Sequence, residues 1–128
     1  MSREAAEAAE RGWWHSLVRR VLDLAGAGGL LDAARFEPFF DDLYRHFTTA
    51  DAWRLYPDVL PALDRLETAG IATGLITNYD SRIYRLVESL GLASSLGSIT
   101  IPSSAGATKP ARAIFGQALF CHRLAASE

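Results

Sequence analysis

The chain has 128 residues, 49% of them hydrophobic and 22% charged, which is enough for one ordinary globular domain. Its 13 basic and 15 acidic residues are scattered and sum to a formal charge of -2, leaving no electrostatic footprint for nucleic acid or an anionic membrane. The start, MSREAAEAAERG, carries acids where a secretory signal carries positive charge, and no run approaches about 18 apolar residues, so a cytosolic protein without a membrane span is expected. Cys121, the only cysteine, has no disulfide partner and no companion at metal-ligand spacing, and reads as a plain buried thiol.

Residues 3–25 favour helix, with Trp14, Leu17, Val18, Val21, Leu22 and Ala25 on one face, and Gly26, Gly28 and Gly29 stop it. A second helix is predicted over residues 36–47, with an apolar stripe of Phe36, Phe40, Leu43, Tyr44 and Phe47; Pro38 fits only near its first turn. Trp13, Trp14 and Trp53 are expected to fill the interior of this helical part. Tyr56 precedes Pro57 and is pushed toward an extended conformation, which places a domain junction there: residues 1–56 all-helical, residues 57–128 of different character. Asp58 can cap a helix that buries Val59, Leu63 and Leu66, and Gly70 can end it in a left-handed conformation.

The run Ile71-Ala72-Thr73-Gly74-Leu75-Ile76-Thr77 has the length and composition of a strand buried on both faces. After a turn at Asn78 and Tyr79, Asp80 or Ser81 can cap a helix carrying Ile83, Leu86, Val87 and Leu90, closed by Gly91. Residues 98–101 read as a second strand, and an interval of about 30 residues from strand to strand is that of a βαβ unit with parallel strands. A loop over residues 102–110 leads to a last helix with Ile114, Phe115, Ala118 and Leu119. His15, His46 and His122 are dispersed on helical segments, with no evident ligand or nucleophile beside them.

Ligands of a parallel sheet collect at the carboxyl ends of its strands, where Thr77 and Asn78 stand. A hydroxyl followed by turn amides suits phosphate oxygens, and Lys109, held out of helix by Pro110, can bring an ammonium to the same crevice. Taken singly, a turn-capping threonine and a solvated lysine explain these residues as well. In combination, the apolar strand, Ile76-Thr77-Asn78-Tyr79-Asp80-Ser81-Arg82, the amphipathic helix, the second strand and Gly106-Ala107-Thr108-Lys109-Pro110 resemble the haloacid dehalogenase-like (HAD) hydrolase superfamily. Thr77 and Asn78 match its second motif and Lys109 its third. The passage through Tyr56-Pro57-Asp58-Val59 is similar to the return from a helical cap to the core.

The resemblance implies an α/β fold, a partial Rossmann-like HAD core of parallel strands with flanking helices plus an all-helical cap segment. It implies phosphate monoester hydrolysis on a small phosphorylated substrate, Thr77, Asn78 and Lys109 binding the phosphate, Lys109 also catalytic, and Mg²⁺ as cofactor. The chain departs from the pattern at Ala105 and Ala111, where members often carry Glu and Asp. The family's first motif, Asp-x-Asp-x-Thr, supplies the nucleophile and the general acid-base, and no Asp-x-Asp occurs in the chain; the acids that complete the metal site have no counterpart either. The expectation is therefore an internal piece of a phosphohydrolase, inactive alone, marginally stable or self-associating through an incomplete sheet. Two other readings are a noncatalytic HAD-like remnant that binds a partner, and a methyltransferase. The latter rests on Val21-Leu22-Asp23-Leu24-Ala25-Gly26-Ala27-Gly28-Gly29, which resembles the glycine-rich S-adenosylmethionine loop but lacks the preceding strand.

Overall fold

In the computed structural model, residues 3–126 are described, and they form two compact units that meet between Ala52 and Trp53. The first unit is helical. Helix α1 spans Arg3–Leu24 and helix α2 spans Ala33–His46. The Asp32 carboxylate accepts a hydrogen bond from the Arg35 amide at 2.9 Å, so α2 begins three residues ahead of the expected Phe36. This earlier start leaves Pro38 inside the helix, past its first turn, where it removes one main-chain donor.

Phe36 and Phe40 are fully buried, and polar residues of α1 cover them. The Arg19 guanidinium lies 3.8 Å above the Phe36 ring and that of Arg11 lies 5.0 Å above Phe40, while His15 meets both rings edge-on at 4.9 Å. His15 is half-buried and also bonds Glu37 at 2.8 Å. The stripe predicted for burial on α1 is half-buried at Trp14, Leu17, Val18 and Leu22 and exposed at Val21 and Ala25. The tryptophans do not form an interior. Trp13 is exposed and stacks edge-on against Trp14, and Trp53 belongs to the second unit. Val21, Leu22, Asp23 and Leu24 lie within α1, so the glycine-rich stretch is a helix stop and not a strand-to-loop cofactor motif.

The second unit is the α/β part. Helix α3 covers Val59–Thr68, β1 Gly74–Ile76, α4 Ile83–Ser89, β2 Ser98–Thr100, α5 Pro102–Ala105 and α6 Arg112–His122. Asp58 occupies the cap position of α3 in helical geometry without a side-chain cap bond, and Val59, Leu63 and Leu66 are only half-buried. The helix ends at Gly70 and Gly91 follow the sequence closely, each in the left-handed region with φ +70 and +71, where a side chain would be strained.

The strands are parallel, with Gly74 opposite Ser98, Leu75 opposite Ile99 and Ile76 opposite Thr100. Because side chains alternate, Leu75, Ile99 and Ile101 pack with Ile83, Leu86 and Val87 of α4, whereas Gly74, Ile76 and Ser98 face α6. The unit is thus a helix, a two-stranded sheet and a helix in layers. β1 is shorter than the predicted residues 71–77 and is not buried on both faces. Among the described residues it pairs on one side only, with a three-residue partner, and Ile71 is exposed. Residues 102–105 are a short helix where a loop was expected, because Pro102 suits a first turn and the Ser104 hydroxyl closes it, donating to the Ile101 carbonyl at 2.9 Å. Cys121 is exposed and not the buried thiol expected: it continues the stripe of Ile114 and Ala118 but lies in the last turn of α6, past the part of that stripe that is buried.

His122, at the end of α6, sits over the sheet with its Nε2 2.7 Å from the Ser98 hydroxyl. A Cβ at position 74 would stand 2.6 Å from Ser98 Oγ and 2.8 Å from His122 Nε2, so only glycine leaves room for this pair. Gly74→Ala is expected to lower the unfolding free energy in urea by about 1–2 kcal/mol. Gly116→Ala, inside α6 with open space around it, is expected to raise that energy by about 0.5–1 kcal/mol. Equal effects of the two substitutions would contradict this packing.

Candidate functional site

Parallel pairing brings the carboxyl ends of β1 and β2 to one edge, and the residues that follow each strand meet there. The Thr77 amide donates to the Thr100 carbonyl at 3.1 Å, carrying the pairing one residue past the end of β1. The Thr77 hydroxyl accepts from the Tyr79 amide at 3.0 Å, a tight turn that leaves the hydroxyl proton available for donation. Asn78 reaches across to the loop after α5: its Nδ2 donates to the Lys109 carbonyl at 3.1 Å, and its Oδ1 accepts from the Lys109 amide at 2.6 Å. The Lys109 ammonium folds back over β1 and donates to the Ile76 carbonyl at 3.0 Å. The peptide bond from Lys109 to Pro110 is cis. Thr77, Asn78 and Lys109, singled out from sequence, therefore lie together.

The turn after Asn78 is built around a nearly buried ion pair. Asp80 accepts from Arg82 Nε at 2.8 Å and from its terminal nitrogen at 2.6 Å, and also from the Arg82 amide at 3.1 Å. The capping of α4 expected of Asp80 or Ser81 is not made: the cap position is Arg82, with no side-chain cap bond, and the Asp80 carboxylate instead closes a turn onto Arg82 ahead of the helix. The Arg82 guanidinium lies 5.0 Å above the Tyr79 ring, and Trp53 meets that ring edge-on at 5.6 Å. Burial pushes the Tyr79 phenol above the ordinary tyrosine value; the positive charge of Arg82 lowers it and the negative charge of Asp80 raises it again.

The fit to a divalent cation is poor. Among the described residues no three of His, Cys, Asp and Glu are grouped to hold a metal, and Asp80, the acid next to the site in sequence, is engaged by Arg82. No step can be built through Mg²⁺ on these residues.

At the opposite end of the strands lies a feature that the sequence did not reveal. Ser98 and His122 form the polar floor of an open cleft of about 300 Å³, otherwise lined by apolar groups such as Ile76, Phe115 and Leu119. Ser98 and His122 are far apart in the chain, so only the strand register and the length of α6 bring them together. No helix among the described residues is long and apolar enough to cross a membrane.

A sequence profile of the haloacid dehalogenase-like hydrolases matches residues 2–119, nearly the whole chain. The chain belongs to the haloacid dehalogenase-like hydrolase family. Similar proteins include the haloacid dehalogenase-like hydrolase domain-containing protein 3 of Danio rerio, 31% identical over 107 residues, which are 84% of this chain and 43% of that protein. The protein of the same name from Xenopus laevis is 31% identical over 109 residues, 85% of this chain and 43% of the relative. That from Homo sapiens is 30% identical over 109 residues, 85% and 42% of the two chains. This HAD-like chain thus spans less than half the length of the curated relatives it matches.

The raised phenol of Tyr79 has a consequence for stability. Its folded value lies above the unfolded one, so the stability it contributes is complete below about pH 10 and is lost as the pH rises through the folded value. Ultraviolet titration is expected to show a tyrosine component ionising above the ordinary range, and Tyr79→Phe should remove that component. A titration curve that Tyr79→Phe leaves unchanged above the ordinary range would contradict the placement of Tyr79.

Proposed function

We propose that this chain is the phosphate-holding part of a HAD-like phosphohydrolase, a hydrolase of phosphate monoesters that acts through an aspartyl-phosphate in the complete protein. The observation that carries the reading is the convergence of Thr77 and Lys109 at the carboxyl end of β1. A phosphoryl group seated there would receive a hydrogen bond from the Thr77 hydroxyl and the positive charge of Lys109, which offsets the negative charge on the nonbridging oxygens as phosphorus is attacked. Lys109 keeps two ammonium protons beyond the one it gives to Ile76.

The same chemistry limits the chain. A hydroxyl and an ammonium can hold a phosphate but do not replace an aspartate nucleophile, and no Asp-x-Asp is present in the sequence. In this reading the complete protein supplies the attacking carboxylate and the Mg²⁺ ligands, residues 1–56 serve as a helical cap, and the 128-residue chain alone turns nothing over. The edge of β1 away from β2 favours self-association as the alternative fate of the isolated chain, because a strand from a second copy can pair there once the Lys109 ammonium leaves the Ile76 carbonyl.

Purified chain is expected to release no phosphate from p-nitrophenyl phosphate in Mg²⁺ above the buffer rate, and to sediment as a dimer or larger species. Mg²⁺-dependent turnover lost in Lys109→Met would overturn the inactivity of the chain while leaving the phosphate site standing. A monomer with a sharp cooperative melt would remove the case for strand exchange.

A further inference from the structure

Lys109 is the only lysine in the chain; every other strong base is an arginine. A lysine side chain is a flexible stem whose ordering is entropically costly, and its loop, residues 106–111, holds no regular structure. The position of the ammonium thus depends on what fixes the Lys109 backbone. The strongest visible restraint is the Asn78 carboxamide, which accepts from the Lys109 amide at 2.6 Å and donates to the Lys109 carbonyl at 3.1 Å. An amide side chain presents one acceptor oxygen and one donor nitrogen side by side, the same pair that a neighbouring strand would present. Asn78 therefore acts on the loop as a one-residue strand partner, and it stands two residues after Ile76, whose carbonyl receives the Lys109 ammonium.

We propose that Asn78 is a positioning residue for Lys109 and not a phosphate ligand: its carboxamide clamps the Lys109 backbone so that the ammonium is delivered over the end of β1. The benefit to phosphate rests on the proposed function above, while the clamp itself does not. Chemistry separates Asn78 from its close relatives. Asp at this position keeps an acceptor for the Lys109 amide but turns a carboxylate oxygen against the Lys109 carbonyl, and Ala removes both bonds.

The single lysine makes the test clean, because reductive methylation with labelled formaldehyde gives one side-chain signal besides that of the terminal amine. In the unsubstituted chain the Lys109 amide should exchange with solvent about tenfold or more slowly than an unbonded loop amide. In Asn78→Ala the methylated Lys109 signal should move to the position of a free lysine, and binding of inorganic phosphate should weaken about tenfold, as it should in Lys109→Met. Asn78→Asp should fall between. Unprotected exchange of the Lys109 amide in the unsubstituted chain would overturn the proposal without need of any variant. So would weakened phosphate binding in Asn78→Ala with an unmoved Lys109 signal, since Asn78 would then be a direct ligand. If the unsubstituted chain binds no phosphate yet the Lys109 signal moves in Asn78→Ala, the phosphate reading fails and the clamp is supported.

Discussion

Parallel pairing of two three-residue strands is the constraint on which the rest of the α/β unit depends. Only a parallel arrangement turns both strand ends toward the same edge, so that Thr77, following β1, and Lys109, reached from β2 through α5, share one place. An antiparallel pair would send the two loops to opposite edges. The alternation of side chains along the same strands then assigns Leu75 and Ile99 to α4 and Gly74 and Ser98 to α6, producing the layers that cover the sheet on both faces. At the far edge this register brings Ser98 beneath His122. The two ends of the sheet thus carry different chemistry, a hydroxyl with an ammonium at one and a hydroxyl with an imidazole at the other.

The site is held by polar bonds to a greater degree than by packing. Thr77 bonds the Tyr79 amide, Asn78 the Lys109 backbone and Asp80 the Arg82 side chain, so each residue of the turn closes a loop with a partner of its own. Buried charges such as Asp80 and Arg82 are stable only as a pair, and removing one costs more than the pair contributes. The result is a turn whose shape is specified by side chains instead of by the hydrophobic core, which consists of Ile83, Leu86, Val87 and Ile101 beneath it. The helical unit uses a related economy, with Arg11, His15 and Arg19 of α1 laid over Phe36 and Phe40.

Much of this was legible in the sequence where local chemistry decides. Gly70 and Gly91 ended helices as read, the interval between strands implied parallel pairing, and Thr77, Asn78 and Lys109, named through the family resemblance, lie together in the fold. The errors arose where a distant partner decides. The α1 stripe was predicted from its period, but α2 is covered by the charged residues of α1. β1 looked fully buried by composition, but it has one short neighbour. His122 looked isolated because Ser98 lies on another element, and nothing local announces a contact set by strand register. The short helix α5 was missed because its signal, Pro102 followed by Ser104, lies in a stretch that also reads as a loop. Asn78 was recognised as part of the site, while the use of its carboxamide on the Lys109 backbone required the structure.

The chain belongs to the haloacid dehalogenase-like hydrolase family, the relatives it matches are about twice as long, and phosphate holding is the role proposed for its site. The central claim is that the carboxyl end of β1 is where an anion sits. Titrating the isotopically labelled chain with inorganic phosphate, and following its amide resonances, tests this most directly. The largest shifts are expected at Thr77, Asn78, Tyr79 and Lys109, with Ser98 and His122 unmoved. Shifts centred on Ser98 and His122, or none at any residue up to saturating phosphate, would contradict it.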